Sequence, residues 1–305
     1  MVEGRLERSM SLATGVRHGA VARAREAAGV LRAAIDSWRG DRAPSMGAAI
    51  AYYTVFSLAP VLILIIAVAG LAFGKRAAEG ALFDQIAELV GRESAGAIQA
   101  MLRSASGTGS GIVATVIGLA ALIIAATAVF GELQAAFNVI WKARPAPGAG
   151  MRNLVTMRLR SLLLIMAIGL LLMLSLALGT ALAAFSTYLE RLLPALPLIL
   201  STVNFVFSLA VTTVMFALMF KILPDAGVEW PDVWIGAAAS AVLFNVGRHL
   251  ISLYIGSKGV TSTYHAAGAL VLILVWIYYS AQIVLFGAEL AKAYGDRRRA
   301  RRSAS

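Results

Sequence analysis

The sequence predicts an all-α polytopic membrane protein with six transmembrane helices and short amphipathic helices between the first and second spans. Three observations predict this fold class. Of the 305 residues, 59% are hydrophobic and 14% are charged, whereas a soluble domain carries about 25% charged residues. Six apolar stretches are each long enough to cross about 30 Å of hydrocarbon as a helix. Their apolar residues run continuously instead of alternating, which favours helices over a closed barrel.

The chain opens with a basic arm, residues 1–43, which we expect to lie in the cytoplasm. Within it, Leu31, Ile35 and Trp38 recur at the spacing of an amphipathic helix that lies on the membrane surface. A partly disordered tail is the alternative for residues 1–25, and the arm has no apolar core typical of a cleavable signal peptide. The transmembrane domain, residues 44–295, follows, and a basic tail, residues 296–305, ends the chain. The predicted spans are 48–73, 111–133, 162–185, 198–220, 233–255 and 267–291.

The segment 74–110, between the first two spans, is predicted to lie on the outer face. Apolar residues such as Leu82, Ile86 and Ile98 recur there at helical spacing. Asp84 and Glu88 occupy the opposite face. Two short amphipathic helices are therefore expected, and this external segment is a candidate surface for an envelope partner.

The distribution of basic residues predicts the orientation of the spans. With the N-terminus in the cytoplasm, twenty Lys and Arg residues lie inside and six lie outside. An excess of Lys and Arg marks cytoplasmic loops. The sequence therefore predicts a multi-pass protein of the inner (plasma) membrane with both termini in the cytoplasm.

The composition also excludes several classes of function. Cysteine is absent, which rules out disulfides, thiolate metal sites and cysteine nucleophiles. The histidines His18, His249 and His265 are scattered, so we expect neither a metal nor a cofactor. A net charge of +11 would suggest nucleic-acid binding in a soluble protein. Here the basic residues lie in the tails and in loop 142–160, so membrane lipids with anionic headgroups are the expected partners, not nucleic acid.

Four segments, taken in order, carry a resemblance to a known family. They are AAIAYYTVFSLAPV at 48–61, AAFNVIWKAR at 135–144, the stretch 222–255 opening with LPDAGVEWPDVWIGA, and VLILVWIYYSAQIVLFGAELAKAY at 271–294. The chain resembles the YihY/BrkB family of bacterial inner-membrane proteins over roughly residues 44–295. The resemblance implies six spans. Some relatives were formerly labelled a transfer-RNA-processing ribonuclease (ribonuclease BN) and others a serum-resistance factor, while the family's molecular function is treated as unknown and transport is suspected.

A ribonuclease is not expected from these residues. A metal-dependent nuclease needs clustered carboxylates or histidines, and a metal-free one needs an acid and a base flanking the phosphate. The acidic residues outside the spans are instead spread through loops. No catalytic residue is therefore assigned, and the protein is predicted not to be an enzyme.

Polar residues within the spans are the main candidates for a functional site, because ionisable groups are costly in hydrocarbon. One face of the fifth predicted span and one stripe of the fourth carry such residues in the outer half of the membrane. The candidate cavity residues are Arg248, His249, Asn245, Asn204 and Ser208. These two faces predict an outward-opening cavity in which Arg248 contacts an anionic substrate group or a lipid phosphate. The alternative is hydrogen bonding between helices, with Arg248 reaching the outer headgroups.

A second polar group is predicted near the cytoplasmic side. Its members are Glu132, Glu289, Gln282, Tyr53 and Ser57. The first span also contains Pro60, which removes a backbone donor and marks either a gating bend or a packed kink. For the two glutamates, pairing with nearby Lys or Arg at the headgroup level is the alternative to a functional role.

The leading functional hypothesis is a transporter or lipid-handling permease. No Gly-x-x-x-x-Gly-Lys-Ser/Thr motif is present, so the protein is expected to lack its own ATPase. The alternative is a non-transporting scaffold or subunit that docks an envelope partner through residues 74–110. The sequence leaves open the substrate, the energy source and the formation of a homo-oligomer.

Overall fold

The computed structural model describes residues 25–90, 92, 95–96, 98–100, 112–143, 159, 162–175, 177–180, 196–257 and 265–304. Across these ranges the chain forms helices joined by turns, with no strand, which confirms the predicted all-α class. Residues 1–24 of the basic arm, most of loop 142–160 and residues 101–110 of the predicted external segment lie outside this description.

The helices follow one another with short connections. They are α1 (25–40), α2 (Ala43–Phe73), α3 (Lys75–Val90), α4 (Ile112–Ile140), α5 (Leu162–Thr180), α6 (Leu196–Ile222), α7 (Trp230–Ser257) and α8 (His265–Ala304). Within the described residues, three helical segments are long and apolar enough to cross a membrane. These segments are Leu162–Thr180, Thr202–Ile222 and Ile273–Ser303. They coincide with the third, fourth and sixth predicted spans, and the other three spans stay a prediction.

The helix ends are set by residues with a left-handed backbone. Arg42 (φ 58°) separates α1 from α2, and α2 then starts with a proline in its first turn, where the missing N–H has no helical partner to lose. Gly74 (φ 84°) ends α2, and its N–H donates to the Gly70 carbonyl at 3.0 Å. Lys142 (φ 51°) ends α4 in the same way, with the Ala143 N–H donating to the Asn138 carbonyl at 2.9 Å. These caps make the sharp turns that let neighbouring helices pack.

Four contacts between helices form the centre of the bundle. Helix α2 packs against α4 and α8, while α7 packs against α6 and α8. The larger apolar core joins these helices around Phe137 and Phe220, whose ring centroids are 5.6 Å apart. Large apolar side chains such as Leu170 and Phe205 stay exposed on the outside of the bundle. Exposed apolar surface of this kind is expected on a protein that contacts lipid.

Helix α3 packs against α2, α7 and α8. Its residue Leu82 is buried in a second apolar cluster with Leu62, Ile98 and Trp276. Asp84, on another face of α3, is exposed. The apolar face of α3 therefore rests on the helices of the bundle.

Candidate functional site

A groove of about 860 Å³ runs between α6 and α7, and we call it the α6–α7 groove. Its lining consists of Ala87, Phe205, Leu209, Val242, Asn245, Val246, Arg248, His249 and Leu250. Three of the five residues predicted to form a cavity, Asn245, Arg248 and His249, thus lie on one wall. They come together because positions three and four apart share one face of a helix.

The chemistry of the α6–α7 groove is amphipathic. Apart from Asn245, Arg248 and His249, its lining side chains are hydrocarbon or aromatic. Arg248 is partly buried and His249 is exposed, while the Asn245 Nδ2 donates to the Ala241 carbonyl of its own helix at 2.8 Å. An apolar trough with a guanidinium at one wall suits a molecule that has both an apolar body and an anionic group.

The other two predicted cavity residues lie on a neighbouring face of α6. A Cβ placed on Gly179 of α5 would lie 3.8 Å from the Asn204 Oδ1, so Asn204 faces α5. The Ser208 carbonyl accepts a hydrogen bond from the Thr212 hydroxyl at 2.8 Å within α6. The groove is instead reached by Phe205 and Leu209, one position further along. One position on a helix rotates a side chain by about 100°, which is enough to move it to another neighbour.

Glu289 is the most deeply buried of the residues predicted near the cytoplasmic side. It is 1% exposed, and neither of its carboxyl oxygens has a hydrogen-bond partner among the described residues. The charged side chains that act on it are Asp41, Lys292 and Lys142. They come from the α1–α2 turn, from α8 itself and from the end of α4.

The remaining predicted polar residues on this side are spread over α2, α4 and α8. Gln282 lies two turns before Glu289, and its Nε2 donates to the Ala43 carbonyl at 3.4 Å. Gly47 of α2 leaves room for that amide, since a Cβ there would overlap it. Ser57 is buried on α2, whereas Tyr53 is exposed.

The last two predicted residues, Glu132 and Pro60, lie on different helices. Glu132 is partly exposed on α4. Pro60 lies within α2, and the helix continues through it from Ala43 to Phe73.

One cluster of polar side chains is not predicted by the sequence. The Gln134 Nε2 donates to the Asp225 Oδ1 at 3.0 Å, and the Asn138 Nδ2 donates to the Asp225 Oδ2 at 2.9 Å. The Asp225 N–H donates back to the Asn138 Oδ1 at 2.9 Å. Asn138 and Asp225 both belong to segments that carry the family resemblance. That resemblance is the sequence feature that could have indicated the importance of this cluster. They fix the α6–α7 turn to α4.

A second missed group holds the end of α8. The buried carboxylate of Asp232 accepts from Arg298 at 2.8 Å and from Arg299 at 3.3 Å. Arg298 also contacts Glu229 at 2.7 Å. From their charge alone, the sequence predicts that these arginines contact lipid headgroups. In the folded chain they bind Asp232 in the first turn of α7, and Arg298 also binds Glu229 just before it.

No metal centre is evident in the part of the chain that the structure describes. There, no three His, Asp or Glu side chains come close enough together to hold an ion. Asp41 and Glu289 form a pair, and a pair supplies fewer protein ligands than a typical metal site.

Comparisons with known proteins identify relatives along most of the chain. A UPF0761 membrane protein of Rhodospirillum centenum is 28% identical over 272 residues, which cover 87% of this chain and 57% of the relative. A UPF0761 membrane protein of Pseudomonas aeruginosa is 30% identical over 261 residues, covering 82% of this chain and 59% of the relative. The chain therefore spans less than two thirds of the length of these relatives. No solved structure matches it significantly.

The names of these relatives describe a membrane location and give no activity. The family model described as virulence factor BrkB matches residues 34–305, nearly the whole chain. This range includes the α1–α2 turn, the α6–α7 groove and all of α8. The protein is therefore a membrane protein of the BrkB family, as the resemblance of its four segments implied.

Proposed function

We propose that this protein is a permease that moves an anionic amphiphile, such as a phospholipid, through the α6–α7 groove. The proposal includes six spans in the inner membrane, with both termini in the cytoplasm and without an ATPase of its own. No enzymatic activity is part of it.

The six-span arrangement has support beyond the three apolar segments already described. Helix α2 has 31 residues without a charged side chain, and α4 and α7 have 29 and 28 residues. At about 1.5 Å per residue, each is longer than the hydrocarbon layer. These three helices supply the first, second and fifth spans.

The observation that carries the proposed activity is the position of Arg248 in the α6–α7 groove. A guanidinium within a membrane span costs about 2.5–3.5 kcal/mol by insertion scales, so ionisable residues at such positions are candidates for a functional role. Its planar donors suit phosphate or carboxylate oxygens. The apolar walls formed by Phe205, Leu209 and Val246 suit an acyl chain. Together these features favour an anionic lipid over a small polar solute.

The basic regions are proposed to hold the protein against the anionic leaflet. Several arginines of the tail retain exposed side chains while bound to acidic residues, as Arg301 does with Glu26. An exposed guanidinium can contact lipid phosphate as well as a carboxylate. Association through an envelope partner or a second copy is not required for the groove to exist.

The test is lipid movement in proteoliposomes. Purified protein is reconstituted with a fluorescent phosphatidylglycerol analogue, and loss of fluorescence to a membrane-impermeant quencher reports transfer between leaflets. Arg248→Gln should lower the transfer rate about tenfold or more, because it removes a charge-assisted contact of about 1.5–3 kcal/mol. Arg248→Lys should restore part of the rate, since it keeps the charge but loses the planar fork.

Arg76→Gln is the matched control, because Arg76 is exposed on α3, away from the groove lining. It should leave the rate unchanged. Transfer no faster than in protein-free liposomes would contradict the proposal and is the outcome expected of a scaffold. An Arg248→Gln rate equal to that of the wild type would show that the groove is not the path.

A further inference from the structure

We propose that Asp41 and Glu289 form a proton-binding carboxyl pair at the end of the bundle where α1, α2, α4 and α8 meet. The pair binds one proton between two carboxyl groups. It is a site of its own and does not depend on what the α6–α7 groove carries.

The first argument is the burial of Glu289 without hydrogen-bond partners. The residue is 1% exposed, and both of its oxygens are unpartnered among the described residues. The Asp41 Oδ2 is likewise buried and unpartnered. Burying one ionised carboxylate in this way costs several kcal/mol. A neutral carboxylic acid costs far less, and it also has a proton to donate.

The second argument is that the two carboxyl groups act on each other. Asp41 directly follows α1 in the α1–α2 turn, and it interacts with Glu289 on α8. Arg42, with its left-handed backbone, completes this turn. Two adjacent carboxylates repel when both are ionised. A single shared proton removes the repulsion and supplies an O–H donor for the partner's oxygen, and such a pair titrates as a unit.

The third argument concerns the charges around the pair. Lys292 lies one turn after Glu289 on α8, and Lys142 lies in the left-handed cap of α4. Helix α2 contributes no charged side chain over its whole length. On α7, the acidic residue nearest this end, Asp232, is already bound by Arg298 and Arg299. The two lysines stabilise the one negative charge that remains when the pair holds a proton.

Binding of this proton is coupled to the contact between the α1–α2 turn and α8. Loss of the proton places two negative charges side by side in a buried junction, which drives the turn away from α8. Protonation closes the junction again. The pair therefore links the local proton concentration to the packing of α1 against the bundle.

The test is infrared difference spectroscopy of the full chain in lipid nanodiscs during a pH titration. The wild type should show a carbonyl stretch of a protonated carboxylic acid that disappears as the pH rises. Glu289→Gln should remove this band. Glu132→Gln is the matched control and should retain it, because Glu132 is partly exposed on α4.

Asp41→Asn keeps the test decisive if Glu289→Gln does not fold. Without the neighbouring carboxylate, the band should disappear at a lower pH than in the wild type. Carbodiimide modification of the wild type, mapped by mass spectrometry, should be found at Glu289 and should fall as the pH rises. A wild type without the band would overturn the proposal in favour of ionised carboxylates paired with the lysines. A band that survives Glu289→Gln would also overturn it, because the proton would then belong to another carboxyl group.

Discussion

At the scale of single residues, Asn138 joins two parts of the chain that are 87 positions apart. Its side-chain amide donates to the Asp225 carboxylate and accepts from the Asp225 backbone N–H, both at 2.9 Å. An amide that donates and accepts with the same partner fixes both position and orientation. The turn between α6 and α7 is therefore held by a specific pair of side chains in addition to apolar packing.

Asn138→Ala should destabilise the protein by about 1–3 kcal/mol, because it removes both hydrogen bonds to Asp225. Thermal unfolding in detergent, followed by circular dichroism, measures the change. Val139→Ala is the control, since Val139 is the next residue of α4 and is half exposed. Equal stability of the two variants would mean that the Asn138–Asp225 pair contributes nothing to the fold.

Much of the candidate site follows from residue spacing, but not all of it. Spacing alone places Asn245, Arg248 and His249 on one face of a helix, and these residues lie together in the groove. The spacing of residues within α6 does not determine which neighbouring helix packs against each of its faces. Contact with Gly179 of α5 places Asn204 away from the groove lining. Asp41 was missed because its proximity to Glu289 depends on tertiary packing between α1 and α8.

At the scale of elements, the contact between α7 and α8 depends on small residues. A Cβ on Gly236 would overlap the Gly287 carbonyl oxygen and would lie 2.7 Å from the Ala291 Cβ. The Ser240 hydroxyl donates to the Ile283 carbonyl at 3.3 Å across the same contact. Close approach of backbones through Gly, Ala and Ser is how helices associate in lipid, where no hydrophobic effect drives them together.

Gly236→Ala should therefore destabilise the protein by about 1–3 kcal/mol, since the added methyl group meets backbone atoms and not a movable side chain. Gly80→Ala in α3 is the matched control, because a Cβ there has no atom within 4 Å. That variant should be neutral or more stable by up to about 1 kcal/mol, as alanine favours a helix over glycine. The same unfolding measurement applies, and a Gly236→Ala variant as stable as the control would refute the close contact.

The sequence predicts where helices occur better than where they end. Apolar runs located the helical segments, yet α2 begins at Ala43 and not at residue 48, and α8 continues beyond residue 291 to Ala304. The length of an apolar run reflects the thickness of the hydrocarbon layer that the helix crosses. The helix itself ends where its backbone is capped or broken, which can be well outside that layer. The extension of α8 is charged, and its ion pairs with Glu229 and Asp232 hold it against the bundle.

At the scale of the whole molecule, the two ends of the described chain meet. The Arg301 guanidinium contacts the Glu26 carboxylate at 2.7 Å, and the Arg297 Nη1 donates to the Glu26 carbonyl at 3.0 Å. Helix α1 and the end of α8 therefore lie on the same side of the bundle. The six crossings proposed above would produce this arrangement.

Reporter fusions test the orientation of the spans. Fusions after Arg144 and after Arg302 should read as cytoplasmic, and fusions near Glu93 and Lys258 should read as external. The reason is the excess of basic residues on the proposed inner side, twenty against six. An external reading after Arg302 together with a cytoplasmic reading in the N-terminal arm would require an odd number of spans.

The length of helix α8 has a mechanical consequence. Its 40 residues form one helix about 60 Å long, roughly twice the thickness of the hydrocarbon layer. A rigid rod of this length turns a small change of tilt at its membrane end into a large displacement of its tip. The C-terminal end of α8 carries the arginines that form salt bridges with Glu26 and Asp232. In the proposed permease with a cytoplasmic C-terminus, a cargo that shifts α8 inside the bilayer would therefore weaken these ion pairs at the cytoplasmic surface.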